Sequence, residues 1–190
     1  MRLGLPRRAA EQHTGAGQQA AFEALIDECW EALWRYAYRT AGSRDDAEDL
    51  MSEALIEGFR SFHQFRGETT FMRWMYRVMT TTRIDMVRRA RRHAAESLED
   101  GDGHGADAIV DESADPVRLV VDNSLSEEVQ GALMALPEEF RSVVVLADME
   151  QMDYADVSRA LGIPIGTVRS RLHRGRNQLR RALAAHVTRP

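Results

Sequence analysis

Residues 152–179 read MDYADVSRALGIPIGTVRSRLHRGRNQL, and this stretch decides the fold of the C-terminal half. Asp153 can cap a short helix over 153–161, and Gly162 supplies the turn that follows it. Ile163 is expected to fill the corner before a second, longer helix from about residue 164 to 185. Two helices joined by a short turn with glycine predict a helix-turn-helix.

The second helix divides into two faces at 100° per residue. Its inward face is apolar and carries Val168, Leu172, Gly175, Leu179 and Leu183. The remaining polar positions lie opposite this face or on its flanks: Arg169, Ser170, Arg171, His173, Arg174, Arg176 and Asn177. No acid follows Asp156 in the chain, whereas a merely solvated helix usually alternates charge sign. This pattern favours a helix that enters the major groove of DNA, with arginines reading bases or gripping phosphates.

Charge is segregated along the chain. All 25 basic residues are arginine, and the net charge is −5. Residues 66–92 carry a net charge of +6 and residues 159–190 carry +8, whereas residues 93–128 carry −10. Two basic blocks on either side of an acidic spacer predict two separate contacts with nucleic acid.

Helical periodicity extends over most of the chain and predicts an all-α fold. The first three helices are expected over about 18–41, 44–62 and 70–90, with Gly42 ending the first and Ser43 capping the second. The pattern breaks over 93–123, which reads as a flexible acidic linker. Beyond it, a capping box of Ser124 and Glu127 opens a helix to about 135, and Pro137 opens another to about 149. The sequence predicts two small helical domains joined by that linker.

Several functional classes are excluded by what the sequence lacks. Cys29 is the one cysteine, so neither a disulfide nor a cysteine-based zinc site is expected, and His173 has no partner at metal-binding spacing. No apolar run approaches ~18 residues and the N-terminus lacks the apolar core of a signal peptide, so membrane insertion is not expected and the chain is interpreted as cytoplasmic. No nucleophile elbow, phosphate loop or cofactor motif is present, which argues against an enzyme.

Three stretches resemble a known family. Residues 136–179, LPEEFRSVVVLADMEQMDYADVSRALGIPIGTVRSRLHRGRNQL, resemble region four of the extracytoplasmic-function group of bacterial sigma factors. Residues 44–59, RDDAEDLMSEALIEGF, and 65–92, FRGETTFMRWMYRVMTTTRIDMVRRARR, resemble region two of the same group. The resemblance implies a tail over 1–21, region two over 22–92, a linker over 93–123 and region four over 124–186.

The resemblance also implies a function and a set of partners. A sigma factor joins core RNA polymerase through the beta-prime clamp and the beta flap, recognises promoter DNA and starts its melting. Members of this group are commonly held inactive by an anti-sigma factor. No cofactor or metal is implied, and the chemistry belongs to the polymerase.

Roles carry over to matching positions of this sequence. The −35 element would be read by Arg169, Ser170, His173 and Arg174, with Thr167, Arg171 and Arg176 on phosphates. The −10 element and the melted strand would be held by Phe65, Arg66, Gly67, Glu68, Thr69, Phe71, Arg73, Trp74, Tyr76, Arg77, Thr81, Arg88, Arg89, Arg91 and Arg92. The polymerase clamp would contact Asp46, Asp49, Leu50 and Glu53.

Some points stay open at this level. Phe71, Trp74 and Val78 recur at helical spacing and fit a plain core as well as a strand-binding surface. Ser52 and Thr81 stand where the family usually has Gln and Asn, so the polymerase contact and the −10 preference can differ from the family pattern. The alternative function is a stand-alone helix-turn-helix regulator that binds its site without polymerase.

Overall fold

The computed structural model describes residues 15–99 and 126–187, and within these ranges the regular elements are all helical. The first half contains α1 (Gly15–Ala41), α2 (Arg44–Ser61) and α3 (Phe71–Glu99), with a 3₁₀ turn at Phe62–Gln64. The second half contains α4 (Glu127–Met134), α5 (Glu138–Val144), a π-helical turn (Val145–Met149), α6 (Tyr154–Leu161) and α7 (Ile165–Val187). The all-α prediction is confirmed.

Helices α1, α2 and α3 pack around one apolar core. Apolar side chains of α1 face inward, with Leu33 and Ala37 fully buried, and they belong to the same buried cluster as Leu50 of α2 and Met79 of α3. The turn between α1 and α2 forms as the sequence predicts, because Gly42 adopts a φ of 97°, which favours glycine. Ser43 then caps α2, its hydroxyl accepting from the Asp46 amide at 3.1 Å.

In the second half, α7 packs closely on α5. A Cβ placed on Gly175 would lie 2.8 Å from Cγ2 of Val144, which is attached directly to the Cβ of a buried side chain. That methyl group cannot swing away without a change in the Val144 rotamer or a shift of the helix. Gly175 therefore sets how deeply α7 sits against the domain.

We expect Gly175→Ala to lower the free energy of unfolding by about 1–3 kcal/mol, because overpacking outweighs the higher helix propensity of alanine. Gly131→Ala in α4 is the matched control, since a Cβ there meets nothing within 4 Å. The control should gain about 0.5–1 kcal/mol. Urea unfolding of both variants checks the prediction, and a stabilised Gly175→Ala protein would contradict it.

Three helix boundaries differ from the sequence prediction. Helix α1 begins at Gly15, inside the segment interpreted as a tail. Helix α3 continues to Glu99, into the segment interpreted as linker, because residues 93–99 lack glycine and proline and are rich in strong helix formers. Helix α4 begins at Glu127 with Ser126 as its N-cap, so the predicted capping box is wrong in register. Ser124 itself and the central part of the predicted linker lie outside the described residues.

The two halves are in contact. Helix α3 packs against α6, and α1 packs against α4 and α5. The buried apolar side chains of both halves form one continuous cluster. Gly42 lies directly under the Met134 side chain of the other half, where an added Cβ would come within 2.5 Å of the Met134 sulfur. The two helical units are thus docked on each other as well as joined along the chain.

Cys29 lies half-buried on α1, and its thiol donates to the Leu25 carbonyl at 3.0 Å. Burial, followed by the charge of Glu28, raises the pKa of this thiol to about 11. The thiolate is the reactive form, so at pH 8 Cys29 should react with iodoacetamide about 100-fold more slowly than an exposed cysteine. The rate should rise tenfold per pH unit and level off only near pH 11. A rate that levels off near pH 8.5 would contradict this.

Candidate nucleic-acid interface

The helix-turn-helix corner forms through local hydrogen bonds. The Asp153 carboxylate accepts from the Asp156 amide at 2.7 Å, which caps α6. Gly162 ends α6 in the left-handed region with φ 64°, and the Ser158 hydroxyl donates to the Ile163 carbonyl at 2.5 Å. Ile163 packs against the core at the corner. The predicted cap, turn and corner are all confirmed, and they fix the direction in which α7 leaves the domain.

The outer face of α7 presents exposed polar side chains. Arg169, Ser170, His173 and Arg174 are all exposed, while Val168 and Leu172 on the opposite face are buried. The polar face extends to Asn177, beyond the four residues predicted to read the −35 element. Asn177 donates from Nδ2 to His173 Nε2 at 3.0 Å.

Two successive side-chain hydrogen bonds orient His173. Arg180 donates to Asn177 Oδ1 at 3.0 Å, which orients the amide so that its NH₂ group points at His173. This contact engages Nε2 of His173 and leaves Nδ1 as the other ring nitrogen. Sequence reasoning placed Asn177 on this face but missed its link to Arg180; the i, i+3 and i, i+4 spacing of these residues is the signal that could have found it.

The flanking arginines already hold acidic partners. Arg171 pairs with Glu139 at 2.9 Å, and Arg176 makes two hydrogen bonds to Asp148, one of them from Nε at 2.9 Å. The hydrogen bond to Asp148 raises the pKa of the Arg176 guanidinium above its usual range. Thr167 is half-buried in the first turn of α7. A phosphate would therefore have to compete with Glu139 and Asp148 for these two arginines.

A large basic groove runs between α2, α3 and the corner of the helix-turn-helix, with a volume of about 2010 Å³. Among the described residues that line it, the cations are Arg60, Arg66, Arg73, Arg77, Arg88, Arg89, Arg91, Arg92 and Arg159. Gly162, Ile163 and Pro164 close the groove from the second half. Its cations outnumber its acids, so the groove favours a polyanion.

Aromatic rings form the floor of the groove at one end. Phe65 and Trp74 line it and stay partly exposed, with their ring centroids 5.5 Å apart. Phe71 lies behind them and is buried in a cluster with Phe22 and Phe62. The loop residues Arg66, Gly67 and Glu68 are exposed, Thr69 is half-buried, and Thr81 is exposed on α3. The structure thus brings together most of the predicted strand-binding residues on one surface.

Two of the predicted strand-binding residues, Tyr76 and Arg73, contact acids of the second half. Tyr76 is fully buried, and its hydroxyl donates to Glu150 of the second half at 2.7 Å. Arg73 pairs with the carboxylate of Asp156, which is also buried. Both predicted strand-binding residues are therefore occupied by acids of the second half, and Tyr76 has no surface open to a nucleic acid in this arrangement.

The outer surface of α2 is acidic and partly apolar. Asp46 and Asp49 are exposed as predicted, whereas Leu50 is fully buried and lies beneath this surface rather than on it. Glu53 is half-buried and pairs with Arg89 of α3. Sequence reasoning missed Ile56 and Phe59, which are 54% and 39% exposed. Their helical spacing places them in one stripe with Asp49 and Ser52, and that spacing was readable from the sequence.

Within residues 15–99 and 126–187, no group of three or more His, Cys, Asp or Glu side chains is arranged to hold a metal ion. None of the helices in those ranges is long and apolar enough to cross a membrane.

Comparison with known proteins agrees with this geometry. The family model described as Sigma-70 region 2 matches residues 16–93, and the model described as Sigma-70, region 4 matches residues 126–179. The ECF RNA polymerase sigma factor SigW of Bacillus subtilis is 31% identical, with 88% of this chain and 91% of that protein covered. The chain belongs to the extracytoplasmic-function sigma factors. This sigma factor is also 40% identical to SigE of Mycolicibacterium smegmatis. The match covers 90% of this chain and 65% of the length of that relative.

Two solved structures share the fold of this sigma factor. One is the co-crystal structure of the sigma factor RpoE in complex with the anti-sigma factor NepR from Bartonella quintana, with a TM-score of 0.67, 24% identity and coverage of 89% of this chain and 99% of that one. The other is CnrH in complex with the cytosolic domain of CnrY, with a TM-score of 0.61, 20% identity and coverage of 90% and 92%. At this identity the two structures establish the fold.

Proposed function

We propose that this sigma factor joins core RNA polymerase and directs it to promoters through two separate DNA contacts. The observation that carries the proposal is the presence of two distinct basic surfaces, the outer face of α7 and the arginine-lined groove, on a chain of this family. The chemistry of RNA synthesis would belong to the polymerase, and the chain itself would supply recognition.

The outer face of α7 would read the −35 element in the major groove. Arg169 and Arg174 offer the planar fork that pairs with guanine, and the His173 ring would make a further polar contact in the groove. Thr167, Arg171 and Arg176 would hold phosphates once their acidic partners are displaced. Such phosphate contacts position the helix, whereas the base contacts specify the sequence.

The basic groove would hold the −10 element as its strands separate. Partly exposed Phe65 and Trp74 offer faces on which a released base can stack, and stacking is worth about 1–3 kcal/mol per base. That energy offsets the few kcal/mol needed to take a base out of the duplex. Arg66, Arg77 and Thr81 would flank the strand, and Arg88, Arg89, Arg91 and Arg92 would follow its backbone.

The outer surface of α2 would dock on the beta-prime clamp of the polymerase. Asp46 and Asp49 supply exposed negative charge, and the adjacent Ile56 and Phe59 supply the apolar area that a stable contact needs. The second half would contact the beta flap. The solved relatives RpoE and CnrH are bound to NepR and CnrY, so we further propose that this chain has an anti-sigma partner of its own.

Transcription by core polymerase with and without the purified chain tests the proposal, with the start sites mapped. The full chain should produce defined start sites that core polymerase alone does not use. Asp49→Ala should reduce polymerase binding, and Glu31→Ala on α1 is the matched control for loss of an exposed acid. The opposite outcome would be tight, specific DNA binding in a gel shift without polymerase, together with no effect of the chain on transcription by core polymerase. That result would instead establish the stand-alone regulator.

A further inference from the structure

A row of three polar side chains runs along one side of α7, beginning at His173. Asn177 donates from Nδ2 to His173 Nε2 at 3.0 Å, and Arg180 donates to Asn177 Oδ1 at 3.0 Å. His173 and Arg180 are exposed, and Asn177 is half-buried between them. The spacing of i, i+4 and i+7 means that a regular helix is sufficient to place the three side chains next to one another.

A hollow of about 410 Å³ lies beside this row, between α7 and the first turn of α6. The row lines the hollow together with Tyr154 and Leu172. An exposed imidazole beside open space is not held by packing, and rotation about its Cβ–Cγ bond has broad minima. The contact with Asn177 therefore decides how the His173 ring is oriented.

The orientation of the ring matters for reading DNA because the two ring nitrogens lie at different positions. Asn177 engages Nε2, so Nδ1 is the nitrogen that remains for a contact with a base edge. A freely turning ring would offer either nitrogen and would lose its rotational freedom on binding. A ring that is held before binding avoids that loss and presents one pattern to the base, which sharpens the discrimination between base pairs.

Arg180 acts on His173 through Asn177. The two ends of an asparagine amide have nearly the same shape, so Asn177 could turn either its oxygen or its NH₂ group toward the ring. A guanidinium has donors only, and it therefore selects the oxygen. This selection leaves the NH₂ group of Asn177 directed at His173.

We propose that Asn177 and Arg180 are positioning residues that set the base preference of His173 within the −35 element. The inference rests on the proposed function, in which the outer face of α7 reads that element. Neither residue is among those predicted to read the −35 element or to hold its phosphates. Loss of either hydrogen bond should reduce the preference at one base pair about three- to tenfold, which is the usual net effect of a single hydrogen bond.

Run-off transcription from a promoter library randomised over the −35 element tests the inference. His173→Ala identifies the base pair that His173 reads. Asn177→Ala and Arg180→Ala should each relax the preference at that same base pair about three- to tenfold and leave the other positions unchanged. In the His173→Ala background, neither substitution should have a further effect on the preference, because no ring is left to position.

Arg180→Gln distinguishes positioning from the loss of a positive charge. Glutamine removes the charge just as alanine does, but it keeps an NH₂ donor that can reach Asn177 at this helical spacing. Arg180→Gln should therefore keep the base preference that Arg180→Ala loses. Arg181→Ala removes an exposed charge at the next position and should leave the preference unchanged. Equal relaxation in Arg180→Gln and Arg180→Ala, or weakening of all promoters alike with no change in preference, would overturn the inference.

Nuclear magnetic resonance of the imidazole groups measures the hold on the ring in the free chain, without polymerase or DNA. The His173 ring signals are assigned from their loss in His173→Ala. Asn177→Ala and Arg180→Ala should both shift these signals, whereas Arg180→Gln and Arg181→Ala should leave them in place. Ring signals that do not move in Asn177→Ala would overturn the positioning.

The library and the spectra together separate failure of the inference from failure of the proposed function. Defined start sites with a −35 preference that Asn177→Ala leaves intact would overturn the inference and leave the proposed function standing. The same holds if His173→Ala changes the preference at no base pair. A parent chain that produces no defined start sites with core polymerase would overturn the proposed function, and with it the role in base preference, even if the ring signals shift as expected.

Discussion

Replacing Arg141 with methionine is expected to lower the free energy of unfolding by about 3–5 kcal/mol. Arg141 is 6% exposed, and its guanidinium donates to the carbonyls of Leu133, Met134 and Leu136 as well as to Thr40. Methionine fills the space but removes the guanidinium donor from all four carbonyls and from the Glu138 carboxylate. Leu133 keeps the Leu136 amide as a donor and Glu138 keeps the Ser142 hydroxyl, so the loss falls mainly on Thr40, Met134 and Leu136. Buried acceptors that lose their partners account for most of the expected cost.

Urea unfolding followed by circular dichroism measures this change. Arg181→Met is the matched control, because Arg181 is exposed on α7 and the same substitution there should change stability by no more than about 0.5 kcal/mol. Arg141→Lys should fall between the two, since a lysine keeps the charge but cannot reach all of the carbonyls at once. A loss below ~1 kcal/mol for Arg141→Met would contradict the prediction, because it would show that water replaces the guanidinium as the donor to these carbonyls.

Replacing Arg174 with alanine is expected to reduce transcription from a mapped promoter by about 10- to 100-fold. Arg174 is exposed at the centre of the outer face of α7, where a base contact is worth about 1–3 kcal/mol. The loss should be concentrated at one base pair of the −35 element, so a promoter library should show relaxed preference there and little change elsewhere. Run-off transcription and sequencing of the selected promoters measure both effects.

Arg176→Ala distinguishes a residue that contacts phosphates from one that reads bases. Arg176 is held by Asp148, so its loss removes a candidate phosphate contact and should weaken all promoters by a similar factor. Arg35→Ala, on α1 and far from α7 in the chain, controls for the loss of one positive charge. Equal loss of preference at every −35 position in Arg174→Ala would contradict its role as a base reader.

Local signals in the sequence were sufficient for the helices and their turns. Asp153, Gly162 and Ser43 act through hydrogen bonds and backbone conformations that involve near neighbours, so their roles follow from the residue type and its spacing. The apolar face of α7 was equally clear, because burial follows helical periodicity. The family assignment rested on the same local patterns.

Contacts between distant residues were not predictable in this way. Arg73 meets Asp156, and Arg176 meets Asp148, through the way the helices pack, and nothing in the spacing of these charges indicates the pairing. Candidate roles were therefore assigned to arginines as though each faced solvent. Buried Leu50 and Tyr76 were assigned to contact surfaces for a related reason, since family motifs mix surface residues with the core residues that support them.

The π-helical turn at Val145–Met149 has a consequence for how relatives of this chain can differ. The Glu150 amide donates to the Val145 carbonyl five residues earlier, at 3.0 Å, so the turn contains one residue more than a regular helix would. Because the wide turn absorbs that surplus residue, removing it would restore a regular α-helical turn and largely keep the direction of the helices that follow. A relative that is one residue shorter here could thus keep the direction of α7 while it lacks the wide turn beside the Arg39–Glu150 ion pair. Relatives of this chain could be grouped by whether they contain the π-helical turn or a regular helical turn one residue shorter.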